Sequence, residues 1–110
     1  MTFDQAIPSA TVHRVADGTV RVDVGGPIDL ATVDTLTRAL TEALDERPSA
    51  VAVSLKRVTV LDSTGIKTLL FAHRRARDES IGFTVVDASA IVVQVMQVLG
   101  IYDLLTEGAL

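Results

Sequence analysis

The segment Val51-Ala52-Val53-Ser54-Leu55 is short and almost free of polar breaks. A strand with one wet face alternates polar and apolar residues. An unbroken run like this one suits a central strand covered on both faces. Both neighbouring segments are helical in pattern. Before it, Val33, Leu36, Leu40, Ala43 and Leu44 fall on one stripe that Arg47-Pro48 ends. After it, Ile66, Leu69, Leu70 and His73 form a second stripe. A covered strand between two helices is the middle of a sheet with parallel neighbours.

The rest of the chain extends this plan. Thr11 to Val15 and Thr19 to Val24 flank Ala16-Asp17-Gly18, and Asp-Gly between β-rich runs signals a hairpin. Val20, Val22 and Val24 alternate with polar residues, so one face of the second run is buried. Gly25-Gly26-Pro27 is expected to break that strand. Val58-Thr59-Val60-Leu61 leads into the second helix, and Phe83 to Val86 is a further strand after Gly82. Ser89 is placed as the N-cap of a third helix that Gly100 closes, with a short helical segment over Ile101 to Leu105. The order β, β, α, β, α, β, α predicts an α/β fold. Its small mixed sheet is an N-terminal hairpin plus parallel strands, packed with helices. Residues 1–10 are set apart as a tail or edge extension, and 11–107 as the single domain.

Composition removes several function classes. The 110 residues include no cysteine, which excludes disulfides, thiolate nucleophiles and cysteine metal sites. No apolar run approaches the ~18 residues of a membrane span, and Met1 to Ala10 does not resemble a signal peptide, so a cytoplasmic location is expected. The net charge of −4 makes direct nucleic-acid binding a poor reading. The basic run from His73 to Arg77 reads as the solvated end of a helix.

The informative junction is Asp62-Ser63-Thr64-Gly65, between an apolar strand and a helix. Asp, Ser and Thr there serve as caps for free amides. A hydroxyl at that place also lies at the carboxyl end of a strand, where α/β sheets put their sites. A phosphate on it would add about −1.5 to −2 charges at small structural cost. Capping and switching are compatible. Gly26-Pro27-Ile28-Asp29 is a second strand-to-helix junction, and adjacent strands would bring Asp29 and Ser63 to one rim. Asp29 also reads as a cap.

Together, Gly26-Pro27-Ile28-Asp29, Leu61-Asp62-Ser63-Thr64-Gly65-Ile66 and the ending Leu99-Gly100-Ile101-Tyr102 resemble the STAS family, in particular the bacterial anti-sigma factor antagonists. The resemblance runs from about Val12 to Leu105. It implies a STAS-like fold and phosphorylation at Ser63 by an anti-sigma factor that is also a serine kinase. It further implies that the unphosphorylated form binds that factor and frees a sigma factor, and that a metal-dependent serine phosphatase resets the switch. Asp29 and Asp62 match the family's acids near the phosphorylated serine. With Thr64 they join Lys67, Phe71 and Arg74, on the outer side of the second helix, as expected partner contacts. Pro27 replaces a usual acid, and Lys67 and Phe71 stand where antagonists often carry small residues. The alternative is a non-signalling STAS subunit that binds or scaffolds a transporter or another assembly.

No cofactor is implied. His73 reads as a packed side chain rather than a metal ligand, and His13 has no partner at ligand spacing. Ser63 has no indicated base, so it reads as a substrate residue and the chain is not expected to be an enzyme. The third helix has a wide apolar arc, from Ile91 to Leu99, broken by Gln94 and Gln97. Burial under the chain end is the expected account. A contact with another protein, a weak homodimer included, is the other.

Overall fold

The structure, a computed structural model, describes residues 7–107. Strand β1 (Ser9–Arg14) joins β2 (Thr19–Ile28) through a 3-10 turn over Ala16–Gly18. Asp17 and Gly18 both take positive φ, 64° and 74°, which is the conformation the Asp-Gly pair tolerates. Then follow α1 (Val33–Asp45), β3 (Ala50–Leu61), α2 (Ser63–Asp78), β4 (Gly82–Ala88), α3 (Ala90–Val98) and α4 (Tyr102–Thr106). The strands form one sheet in the order β1-β2-β3-β4. The β1–β2 pair is antiparallel, and β2–β3 and β3–β4 are parallel. The mixed sheet expected from the sequence is therefore present.

Register explains the core. Val12, Val22, Val53 and Val85 lie side by side across the four strands, as do Val20, Val51 and Phe83. These rows share a cluster with Leu36, Leu40 and Leu44 of α1 and Ile66 and Leu69 of α2. Full burial of one such leucine contributes about 2 kcal/mol. The alternate rows, His13-Arg21-Ala52-Thr84 and Thr11-Asp23-Ser54, are mostly polar.

Two strands are longer than their sequence patterns indicate. Gly25-Gly26-Pro27 does not end β2. The register shifts at Asp23/Gly25 and again at Gly26/Pro27, and pairing continues through Ile28. These are bulges, which absorb a proline that lacks an N–H and re-aim the residues that follow. Gly26 has φ +82°, and a Cβ there would lie 2.6 Å from the Ile7 carbonyl oxygen, so the bulge needs glycine. Likewise Val51–Leu55 and Val58–Leu61 are parts of one strand, β3.

The helix ends follow local chemistry. Arg47, Ser80 and Gly100 take positive φ just past α1, α2 and α3. After α2 the Ile81 amide reaches the Ala76 carbonyl at 2.7 Å, and after α3 the Ile101 amide reaches that of Met96 at 2.9 Å. Both are Schellman closures. Ser89 is the N-cap of α3, and its carbonyl accepts from the Val93 amide at 2.9 Å, but its side chain makes no capping bond. Its hydroxyl instead donates to the Val58 carbonyl at 2.7 Å, pinning α3 to β3. The arc of α3 is also only partly covered. Val92 and Met96 are buried, whereas Ile91, Val98 and Leu99 remain exposed among the described residues. Burial under the chain end, within those residues, reaches only the inner side of α3. Met1 to Ala6 of the expected tail lie outside the described residues, and Ser9 and Ala10 already belong to β1.

Candidate functional site

The carboxyl ends of β2 and β3 are neighbours, with Ile28 paired to Leu61. The Asp62 amide donates to the Ile28 carbonyl at 3.1 Å. Asp29 and Asp62 follow those paired residues directly, so the sheet register brings the two junctions to one rim. Gly65 lets α2 start close to that rim. A Cβ at Gly65 would lie 2.5 Å from Leu61 Cδ1 and 2.9 Å from Ile28 Cγ2.

Asp62 is the N-cap of α2. Its Oδ1 accepts from the Thr64 amide at 3.0 Å and the Gly65 amide at 3.2 Å, and from the Thr64 hydroxyl. Its carbonyl accepts from the Ile66 amide at 3.0 Å. The Thr64 hydroxyl bond, opposed by desolvation and aided by the Gly65, Thr64 and Leu30 amides, holds the Asp62 carboxyl below its ordinary value. Ser63 is then the first helical residue, not a cap. It is exposed, and its hydroxyl enters none of the hydrogen bonds that tie this junction together. Thr64 is half-buried with its hydroxyl engaged.

Asp29 orders the loop between β2 and α1. Its Oδ1 accepts from the Ala31 amide at 3.0 Å and the Thr32 hydroxyl at 3.1 Å. Its carbonyl accepts from the Thr32 amide at 3.0 Å and the Val33 amide at 2.8 Å. The N-cap position of α1 falls to Thr32, so Asp29 shapes a turn ahead of the helix. Between the acids, Leu30 is 76% exposed. Sequence reasoning did not single out Leu30. Its signal was present: a leucine that follows Asp29 and lies outside the α1 stripe.

From Ser63 an exposed stripe runs down α2 through Lys67, Phe71 and Arg74. Phe71 is 70% exposed, as its helical angle indicated. It borders a shallow groove of about 180 Å³ between α1 and α2, lined also by Leu40, Leu44 and Thr68. Arg75 crosses that groove, reaching Asp45 of α1 at 2.7 Å and Glu79 at 2.8 Å. Part of the basic run is thus a tie between helices rather than a solvated end. His73 packs edge-on against Phe83, ring centroids 6.0 Å apart, and burial, with Arg77 nearby, lowers its pKa. No cluster of potential metal ligands occurs among the described residues. None of the described helices is long and apolar enough to cross a membrane.

The rim thus gathers an exposed hydroxyl on a capped helix start, two acids held by local hydrogen bonds at the neighbouring junctions, and the exposed Leu30. Residues 10–108 match the STAS domain, and the chain belongs to that family. Its similarities include several anti-sigma factor antagonists. The anti-sigma-F factor antagonist RsfB of Mycobacterium tuberculosis is 30% identical over 96 residues, which cover 86% of this chain and 78% of that protein. A crystal structure of an anti-sigma factor antagonist from Mycobacterium paratuberculosis superposes with TM-score 0.78 at 26% identity, covering 90% of this chain and 82% of the other. The anti-sigma factor antagonist SpoIIAA in its unphosphorylated form shares the fold, with TM-score 0.70 at 19% identity over 86% of this chain and 83% of that one.

Proposed function

We propose that this chain is a cytoplasmic anti-sigma factor antagonist switched by reversible phosphorylation of Ser63. Unphosphorylated, it binds an anti-sigma factor that is also a serine kinase, so that a sigma factor is released to direct transcription. Phosphorylated, it lets that partner go, and a serine phosphatase restores it. The chain is a binding partner and a substrate in this cycle, not an enzyme. Its relatives carry the name of antagonist, which favours this reading over a transporter or scaffold subunit.

The carrying observation is the contrast between the two adjacent hydroxyls. Thr64 is held by Asp62 and half-buried, while Ser63 is exposed and unengaged at the first position of α2. A kinase needs a hydroxyl that can enter its own site, and only Ser63 offers one without breaking the helix cap. Asp29, Asp62 and Leu30 on the rim, and Lys67, Phe71 and Arg74 along α2, form the surface that meets the partner. Thr64 acts through Asp62, by fixing its carboxylate. Interface energy concentrates in a few aromatic and Arg anchors, which suits Phe71 and Arg74.

The test is mass spectrometry after incubation with the cognate kinase. Phosphate is expected on Ser63 and absent from the Ser63→Ala chain. Modification of Thr64, or undiminished modification of Ser63→Ala, overturns the assignment.

A further inference from the structure

Lys67 stands one helical turn after Ser63 on the exposed stripe of α2, and it enters none of the ion pairs among the described residues. Residues four apart on a helix have Cβ atoms about 5–6 Å from each other. Helical side chains lean toward the N-terminus, so the Lys67 stem runs back toward the first turn, where Ser63 lies. An anion placed ahead of a cation at this spacing is also the more favourable order, because it agrees with the helix dipole.

Most other donors near this position are already used or far away. The Thr64 and Gly65 amides are bound to the Asp62 carboxylate, and the Ile66 amide to its carbonyl. Arg74 stands about 10 Å further along the helix axis. Arg75 is held by Asp45 and Glu79.

The geometry points to Lys67 as the resident counter-ion of a phosphate on Ser63, in an ion pair that exists only in the phosphorylated chain. This rests on the reading of Ser63 as the phosphorylated residue. Modification then acts twice on the same stripe. It adds a dianion at Ser63, and it turns back the cation that the unphosphorylated chain presents to a partner. The charged groups at this rim and on the first turns of α2 act on such a phosphate in opposite directions. The Asp62 carboxylate at the cap and the Asp29 carboxylate on the β2–α1 loop disfavour the dianion, and Lys67 favours it.

The experiment uses the full chain with phosphoserine installed at position 63 during translation, so no kinase is required. Phosphorus NMR follows the second phosphate ionisation from about pH 4.5 to 8, around its ordinary value near 6. Lys67→Gln is expected to raise that pKa by about 0.3 unit, a twofold change in proton affinity and the size of an i,i+4 ion pair. Lys67→Arg should restore the original value, and the difference should shrink in 1 M salt. Circular dichroism confirms that the exposed substitutions leave the helix intact. Equal pKa values with Lys67, Gln and Arg at this position overturn the ion pair. That failure is distinct from failure of the Ser63 reading, which the kinase incubation tests separately.

Discussion

Asp62 and His73 respond to acid in the same direction but in different pH ranges. The folded chain holds the Asp62 carboxyl below its ordinary value of 3.8. Its contribution to stability is therefore present above 3.8 and is lost as pH falls through the lower folded value. His73 has its pKa lowered from 6.5, first by burial and then by Arg77. The folded chain favours the neutral ring, while the unfolded chain takes up a proton below about 6.5. The stability that His73 contributes is therefore full above 6.5 and lost as pH falls through its folded value. Urea midpoints measured between pH 7 and 5 should fall with acid, and His73→Asn should flatten that part of the slope. Asp62→Asn should leave it unchanged and flatten only the limb below pH 4. An unaltered slope between pH 7 and 5 in His73→Asn would show that the ring titrates alike in both states. The same carboxylate that caps α2 engages Thr64, so the choice between two adjacent hydroxyls rests on one acid.

Helix α2 carries the site because Gly65 lets it begin against the sheet. Gly65→Ala gains up to about 1 kcal/mol of helix propensity. It also forces a methyl against Leu61 and Ile28, which are 6% and 0% exposed and have little room to move. Overpacking of that kind costs about 1–3 kcal/mol, so after the propensity gain a net loss of up to about 2 kcal/mol is expected in chemical denaturation. Phosphorylation should slow as well, since the first turn is displaced. Phe71→Ala is the opposite case. With 70% of Phe71 already exposed, stability should change by less than about 0.5 kcal/mol. Partner affinity should fall by at least about tenfold if Phe71 is an anchor. Unchanged affinity by calorimetry would remove Phe71 from the interface. The element order and the helix stripes were legible in the sequence because periodicity reports burial directly. The run of β2 through Gly25-Gly26-Pro27 was not. A glycine-glycine-proline sequence reads as a break, and only the parallel partner β3 turns it into bulges. Ser89 was legible as the N-cap of α3, but the acceptor of its hydroxyl was not, since that is Val58 on β3, far away in sequence. Leu30 was visible as a residue, but its exposure beside the acids depends on the Ile28–Leu61 register.

For the molecule as a whole, the arrangement predicts a switch that changes charge without changing fold. Every amide that the Asp62 side chain and carbonyl engage at the start of α2 should stay engaged when Ser63 is modified, because the Ser63 hydroxyl takes no part in that network. The Ser63 side chain is exposed, so a phosphate needs no cavity and displaces no core residue. Backbone amide shifts should therefore change only near the rim and the first turns of α2, with the β-sheet core around Val22, Val53 and Val85 unaltered. The effect on the partner is larger. A surface fitted to a neutral hydroxyl would have to accept a dianion flanked by Asp29 and Asp62, with Lys67 turned toward the phosphate. A penalty of about 3 kcal/mol corresponds to roughly a hundredfold loss of affinity. Ser63→Ala should keep the fold and hold the anti-sigma factor persistently. Ser63→Asp, with a single charge on a shorter arm, should fall between the unmodified and phosphorylated chains. Titration calorimetry of the four forms against the partner gives the order directly. If the phosphorylated chain binds as tightly as the unmodified one, or if its core amides shift as widely as its rim, a charge-only switch is wrong.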